Sequence, residues 1–147
     1  MKITICGSIA FYKEMEETKA QLEKLGHEVK LPPSRFNNGS GQPISASQYY
    51  EIRKTSLDNE GWVWDTKEMA MRMHFDKVDW SDAILVLNYA KNNVPGYIGG
   101  NTLMEAGIAL FLNKKIYLLN SIPEISYKEE ILGMKPVVIN GDLSRII

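Results

Sequence analysis

One acidic residue in the most apolar helical segment of the chain is a candidate for catalysis. Glu105 is the only ionisable residue between positions 103 and 112. Burying an unpaired carboxylate is costly, so such a residue needs either a partner or a chemical purpose. A carboxylate in this setting can act as a nucleophile or as a general acid or base. The sequence Thr102-x-x-Glu105 also fits a capping box, in which Glu105 would only bond to the start of its own helix.

Two short segments could bind a ligand through their backbone. Gly7-Ser8-Ile9 follows the first apolar run, and Ser8 offers a hydroxyl group and an N–H group just before a predicted helix. Unpaired N–H groups at the start of a helix bind anions, which favours a phosphate or carboxylate here; a plain turn with Ser8 as helix cap is the alternative. Gly99-Gly100-Asn101 precedes the Glu105 helix and allows a ligand to lie against the backbone.

Asp76 is a third candidate because it lies on an apolar stripe of a helix predicted over residues 66–80. Met69, Met73 and Trp80 share that stripe, and an acid on such a stripe can point into a pocket. A second apolar stripe on the opposite side of the same helix leaves another interpretation open, in which Asp76 is a solvated residue at the edge.

Short apolar runs alternate with helical patterns along the chain. Strands are predicted at 3–6, 29–31, 83–87, 116–119 and 136–139, residues 34–47 are predicted as a loop, and the segments between the other strands are mainly helical. This alternation predicts an α/β fold, a doubly wound parallel sheet of flavodoxin or Rossmann type with about five strands and helices on both faces. Ligands bind such sheets at the carboxyl ends of the strands where the strand order reverses, which favours the two glycine-containing segments.

Composition excludes several classes of protein. The 147 residues are 44% apolar and 24% charged, as in globular proteins, and we expect one domain over residues 1–147. Seventeen basic and eighteen acidic residues give a net charge of −1, so neither a nucleic acid polymer nor an anionic membrane is an expected partner. A single cysteine suits a cytoplasmic protein, and His27 and His74 lack the spacing of metal ligands.

With these residues identified, the chain resembles the nucleoside 2-deoxyribosyltransferase superfamily, including its 2′-deoxynucleoside 5′-phosphate N-hydrolase branch. The resemblance covers roughly residues 1–120 and leaves 33–66 without a counterpart. Four stretches carry it: Ile5-Cys6-Gly7-Ser8-Ile9, Asp76, Ser81-Asp82-Ala83-Ile84-Leu85-Val86 and Asn101-Thr102-Leu103-Met104-Glu105-Ala106-Gly107.

The resemblance implies an enzyme that cleaves or transfers the N-glycosidic bond of a deoxynucleoside, a nucleoside or its 5′-phosphate. Glu105 corresponds to the nucleophile that forms a covalent glycosyl-enzyme ester, as in retaining glycosidases. Asp76 corresponds to an acid that orients the sugar or protonates the leaving base. Gly7, Ser8 and Ile9 correspond to the loop that holds the 5′ end. Neither a metal nor an organic cofactor is implied, and a homodimer or larger homo-oligomer is expected.

Two departures from the family pattern keep a second hypothesis open. Gly99 stands where transferases usually carry an aspartate, and Ala10-Phe11-Tyr12 follows the Gly-Ser-Ile segment where the hydrolase branch has Arg-Gly-Gly. The alternative is a nucleotide-binding or sensing module on the same scaffold without turnover. A phosphoribohydrolase acting on ribonucleotides ranks lower, because the arginine-bearing and glycine-rich signature of that group is not visible.

Overall fold

The computed structural model describes residues 1–147, which form seven strands and five α-helices. The strands are β1 (Lys2–Gly7), β2 (Glu28–Lys30), β3 (Arg35–Asn37), β4 (Pro43–Ser45), β5 (Ala83–Leu87), β6 (Lys115–Leu118) and β7 (Val137–Val138). The helices are α1 (Tyr12–Lys24), α2 (Ala46–Thr55), α3 (Gly61–Trp80), α4 (Gly100–Phe111) and α5 (Lys128–Gly133). No helix combines the length and the apolar character that a membrane crossing requires.

Five of the strands form one parallel sheet in the order β2-β1-β5-β6-β7. This is the doubly wound order of flavodoxin-like folds, and it confirms the predicted α/β architecture. The strand order reverses between β1 and β5, which pair directly, with Gly7 opposite Leu87 at their carboxyl ends. The loops that follow these two strands therefore leave the sheet side by side.

Successive side chains of the sheet point to opposite faces and pack into two separate hydrophobic cores. Ile3, Ile5 and Leu85 point to one face, where they pack with Met15 and Leu22 of α1. The opposite face of β1 and β5 carries Cys6, Ile84 and Val86, which pack with side chains of α3, α4 and α5. Thr4 and Cys6 alternate with the two isoleucines, so the polar side chains of β1 face α3 and α4.

The segment predicted as a loop over 34–47 contains a two-stranded hairpin instead. β3 and β4 pair in antiparallel fashion, and the Asn38 side chain accepts hydrogen bonds from the backbone N–H groups of Ser40 and Gln42 in the turn. Phe36 is buried with its ring 4.9 Å from that of Tyr49 on α2. Strands of three residues show no readable alternation, so this contact between distant residues decided the structure.

Helix α3 begins at Gly61, five residues before the predicted start at Thr66. Val63 in its first turn is fully buried and packs in a small third core with Phe36 and Tyr49. The buried residues of α3 are Val63, His74 and Val78. Burial of Val63 therefore extends the helix beyond the local start signal, as tertiary packing commonly overrides local propensity.

Candidate functional site

A cavity of about 240 Å³ lies at the carboxyl ends of β1 and β5. This volume is close to the lower end of the range of small-molecule sites, roughly 300–1,000 Å³. The wall contains seven of the eight residues predicted from the sequence: Gly7, Ser8, Ile9, Gly99, Gly100, Asn101 and Glu105. Larger surface depressions elsewhere, of 520–570 Å³, contain none of the eight. The strand crossover thus brings both predicted segments to one cavity.

Glu105 lies in the cavity wall and does not close a capping box. Helix α4 begins at Gly100 with Gly99 as its N-cap, so Thr102 lies inside the first turn and is not the cap. The Glu105 side chain is buried, and its Oε1 accepts a hydrogen bond of 2.9 Å from Nδ2 of Asn101. Its Oε2 has no hydrogen-bond partner. The carboxylate is therefore held by its own helix and keeps one oxygen available.

Burial raises the pKa of the Glu105 carboxyl from 4.5 to about 7. Loss of hydration disfavours the charged form and is the largest cause. The nearby Cys6 thiol, the hydrogen bond from Asn101 and the positive charge of Lys67 oppose the rise. A carboxyl group with a pKa near neutrality is half ionised at physiological pH, which is the range in which nucleophiles and acid–base catalysts operate.

His74 and Cys6 approach Glu105 from two other elements. Nε2 of His74 lies 3.7 Å from Oε2 of Glu105, and the two side chains are almost inaccessible to solvent. Sγ of Cys6, a ring nitrogen of His74 and a carboxylate oxygen of Glu105 all lie within 4.8 Å of one another. Burial raises the pKa of the Cys6 thiol well above its ordinary value, so the thiol stays protonated. The three residues form a buried polar cluster beside the cavity.

Three cationic side chains face the same cavity without a carboxylate partner in an ion pair. Arg53 comes from α2, Lys67 from α3 and Lys91 from the loop after β5. Burial lowers the pKa of Lys67 to about 8, and the nearby Arg53 charge adds to this effect. Glu105 is the only carboxylate in the wall. The cavity therefore carries an excess of positive charge, which favours an anionic ligand.

The loop after β5 places Lys91 at the first predicted segment. Nζ of Lys91 donates hydrogen bonds to Oγ of Ser8 (2.8 Å) and to the hydroxyl of Tyr50 (3.3 Å). Lys91 and Val94 pair across a two-residue turn in which Asn92 and Asn93 both have positive φ. Such turns are the type that asparagine accommodates well. A lysine and a serine hydroxyl 83 positions apart in the sequence are thus joined at the cavity.

A buried asparagine fixes the base of this loop. The Asn88 side chain donates to the carbonyls of Gly96, Asn120 and Ser121 and accepts from the backbone N–H of Asn120. Asn88 is fully inaccessible to solvent. Its hydrogen bonds tie the loop after β5 to the loop after β6, so the position of Lys91 depends on Asn88.

The prediction that Asp76 belongs to the site is corrected by its position. Asp76 is exposed and lies outside the cavity. Met69 and Met73, which share its stripe, are also 48% and 44% exposed. Helix α3 is instead rotated so that Val63, His74 and Val78 are its buried residues. His74, two positions earlier, is the residue of this segment that reaches Glu105.

Sequence reasoning missed Arg53, Lys67 and Lys91 as residues of the cavity. Arg53 and Lys67 sit among other charged residues on helix surfaces, and nothing in their spacing sets them apart. The only available signal was the pair Asn92-Asn93, which marks a turn beside Lys91. Their convergence depends on tertiary structure, because they come from three elements.

Comparison with known proteins gives similarity in fold only. No family model matches the chain, and no curated relative matches it. Among solved structures, a 2-deoxyribosyltransferase from Bacillus psychrosaccharolyticus is 17% identical with a TM-score of 0.49, over 80% of this chain and 71% of that chain. A CMP N-glycosidase from Clostridium botulinum is 18% identical with a TM-score of 0.47, over 94% of this chain and 85% of that one. Similarity of this extent does not assign an activity to this chain.

Proposed function

We propose that this chain cleaves or transfers the N-glycosidic bond of a nucleoside or nucleoside 5′-phosphate, with Glu105 as the nucleophile. The observation that carries the proposal is a single buried carboxylate with one unpartnered oxygen in the wall of a 240 Å³ cavity. The sequence resemblance to nucleoside 2-deoxyribosyltransferases supports the same role for Glu105. A buried acid lowers the stability of the folded chain, and such acids are typical of functional sites.

In the proposed reaction an oxygen of Glu105 attacks the anomeric carbon of the sugar. The bond from that carbon to the base nitrogen breaks, and its electron pair leaves with the base, which takes up a proton. Water, which returns a proton to the group that protonated the base, or a second base then attacks the same carbon and releases the carboxylate. Lys67 is the candidate donor of the proton to the leaving base, since its ammonium group faces the cavity and its pKa is lowered to about 8.

The cations of the cavity support a phosphorylated substrate. Lys91 holds Ser8, the residue whose loop the resemblance assigns to the 5′ end of the substrate, and its ammonium group has no carboxylate partner. Nε of Arg53 is buried without a hydrogen-bond partner. Phosphate oxygens are matched acceptors for both kinds of side chain. The Arg-Gly-Gly sequence of the hydrolase branch is absent, and we infer that these cations replace it.

Aromatic side chains of the cavity support recognition of a base. Phe36, Tyr49, Tyr50 and Tyr97 all lie in its wall. Aromatic rings offer large, rigid faces on which a planar base can stack. Three of the four belong to the hairpin and to α2, so the segment over 33–66 without a counterpart in the family is proposed to form the base side of the pocket.

The test is base release from a panel of nucleosides and nucleoside 5′-phosphates, followed by chromatography. Wild-type protein is expected to release free base from at least one member, and Glu105→Gln and Glu105→Ala are expected to be inactive while remaining folded. Asp76→Asn is the matched control, because Asp76 is exposed and outside the cavity. Full activity of either Glu105 variant would reject the covalent role.

The covalent step has a separate readout. Rapid acid quenching of wild-type protein with its substrate, followed by intact-mass spectrometry, is expected to show a protein species heavier by one glycosyl group. Glu105→Gln under the same conditions is expected to show none. A glycosylated Glu105→Gln protein would place the covalent bond on a different residue.

One observation favours a second function, a nucleotide-binding or sensing module without turnover. Glu105 is the only carboxylate of the cavity, and Asp76 does not supply the second acid that retaining glycosidases use. Calorimetric titration with the same panel separates the two functions. Tight binding without release of base from any member supports the module, whereas release of base supports the enzyme.

A homodimer or larger assembly stays a prediction and has some support on the surface. Five large apolar side chains of the packed helices α3 and α4 are exposed: Met69, Met73, Met104, Leu110 and Phe111. Exposed apolar patches often mark interfaces. Light scattering of the purified protein at several concentrations tests this prediction.

A further inference from the structure

Two buried polar side chains at the inner wall of the cavity face each other without a hydrogen bond. His74 is 2% exposed and Glu105 is 3% exposed. Neither ring nitrogen of His74 makes a hydrogen bond of normal geometry, although the backbone of Ile5 lies close enough to interact with the ring, and the facing Oε2 of Glu105 makes none. Buried polar atoms without partners are rare in folded proteins, because each one loses its hydration without replacement. This pair therefore requires an explanation that the nucleophilic role of Glu105 does not provide.

The distance between the two atoms is informative. Nε2 of His74 and Oε2 of Glu105 are 3.7 Å apart, which is longer than a hydrogen bond and shorter than the two hydrogen bonds that a bridging water needs. A small rotation of either side chain therefore brings them into direct contact. Hydrogen bonds of catalytic groups are often long in unliganded sites and shorten when the substrate is bound.

The charge state of the imidazole decides what it can offer. Burial and the nearby positive charge of Lys77 lower the pKa of His74 to about 4, and an interaction with the backbone of Ile5 opposes the lowering. The ring is therefore neutral at pH 7 and carries one N–H donor. The other titratable groups around the pair are Cys6 on β1, Lys67 and Lys77 on α3, and Arg53 on α2, which faces the same cavity.

We propose that His74 is a positioning residue whose neutral Nε2–H donates a hydrogen bond to Oε2 of Glu105 when substrate fills the cavity. This inference rests on the proposed function and adds a residue to it. Asn101 already donates to Oε1, so the two donors together fix the plane of the carboxylate. Each donor also favours the ionised form that attacks the sugar. His74 itself does not touch the reacting atoms.

Removal of this donor is expected to shift the pH dependence of the reaction. Activity requires ionised Glu105, so kcat/KM rises with pH through the pKa of that carboxyl group. A hydrogen bond to a charged group is worth enough to move that pKa by about one pH unit. His74→Phe keeps a ring but has no donor. Its acidic limb, the rise of kcat/KM with pH on the acidic side of the profile, is expected to lie about one pH unit higher than that of wild type. Activity is expected to recover at alkaline pH.

His74→Gln is the matched variant, because its side-chain amide can donate from nearly the same position as Nε2. Its acidic limb is expected to coincide with that of wild type. A purely structural role of His74 would instead lower activity at every pH without moving the limb, and that result would overturn the proposal. Equal limbs in His74→Phe and His74→Gln would also overturn it.

A measurement on the wild-type protein needs neither activity nor a variant that folds. Nitrogen NMR of protein labelled at histidine reports the tautomer of His74, and the ring is expected to be neutral with its proton on Nε2. A proton on Nδ1, or a doubly protonated ring at pH 7, would overturn the proposal. Because this measurement does not depend on base release, its failure is distinguishable from failure of the proposed enzymatic function.

Discussion

Replacement of Glu105 by Gln is expected to stabilise the protein while it abolishes base release. The pKa of the Glu105 carboxyl is about 7 in the folded chain, against an ordinary value of 4.5. Between these two values the folded chain keeps a proton that the unfolded chain has lost. The free energy of unfolding therefore falls as pH rises through this window. Below pH 4.5 the cost is absent, and above pH 7 it is fully present.

The size of the effect follows from the two pKa values. Each pKa unit corresponds to about 1.4 kcal/mol, so the rise from 4.5 to about 7 costs on the order of 3 kcal/mol above pH 7. For a chain of this length, 1 kcal/mol changes Tm by about 3 °C. Gln keeps the acceptor that Asn101 bonds to and has no charge to bury. The Tm of Glu105→Gln is therefore expected to exceed that of wild type by roughly 9 °C at pH 8, with most of the difference absent at pH 4.5.

Thermal unfolding of both proteins at half-unit steps from pH 4.5 to pH 8 measures this difference. The pKa of His74 is lowered to about 4, which destabilises the folded chain as pH falls below 6.5. Burial is the largest cause of this lowering and is the same in both proteins, so this contribution is present in both curves. Glu16→Gln is the control, because Glu16 is exposed on α1 and its curve should run parallel to that of wild type.

Parallel curves for wild type and Glu105→Gln over the whole range would refute the reasoning. They would mean that Glu105 titrates as an exposed carboxylate does, and that the cavity does not desolvate it. The proposed nucleophile would then lack the property that marks it as functional. A difference that grows toward low pH would refute the sign of the argument in the same experiment.

Four further variants test how the site and the fold around it are built. Asp76→Ala is expected to leave activity within about twofold of wild type in the base-release assay, since Asp76 is exposed and outside the cavity. Gly96→Ala should destabilise the fold by about 2 kcal/mol or more in urea unfolding. The reason is that Gly96 has φ +70° and that an added Cβ would lie 2.4 Å from the carbonyl oxygen of Ser121. Gly107→Ala lies in open space within α4 and should stabilise the fold by roughly 0.5–1 kcal/mol. Asn88→Ala removes four hydrogen-bond contacts of a buried side chain and is expected to cost about 3 kcal/mol in the same assay, with a weaker affinity for phosphorylated ligands because Lys91 loses its support.

The architecture of the sheet could be read from the sequence because its signals are local. The run Ala83-Ile84-Leu85-Val86-Leu87 is apolar throughout, as expected for a strand covered on both faces, and its predicted bounds are those of β5. Gly7-Ser8-Ile9 and Gly99-Gly100-Asn101 could be assigned to one place because parallel strands end at a common edge. The hairpin over 35–45 could not be predicted from the sequence, since its short strands are held by a contact between Phe36 and Tyr49.

The position of Asp76 could not be predicted from the sequence. Two apolar stripes on α3 were equally plausible inner faces, and residue types alone did not choose between them. Packing of Val63, His74 and Val78 against the sheet and the hairpin chose the stripe that leaves Asp76 in solvent. The same choice placed His74 beside Glu105.

The sequence by itself determined the order of the elements and the presence of one acid in an apolar helix, because both follow from patterns among neighbouring residues. Only the tertiary structure decided that this acid is desolvated, that Asn101 holds one of its oxygens, and that Arg53, Lys67 and Lys91 converge on the same cavity. Ionisation depends on distance and on exclusion of water, and both are set by side chains that lie far apart along the chain.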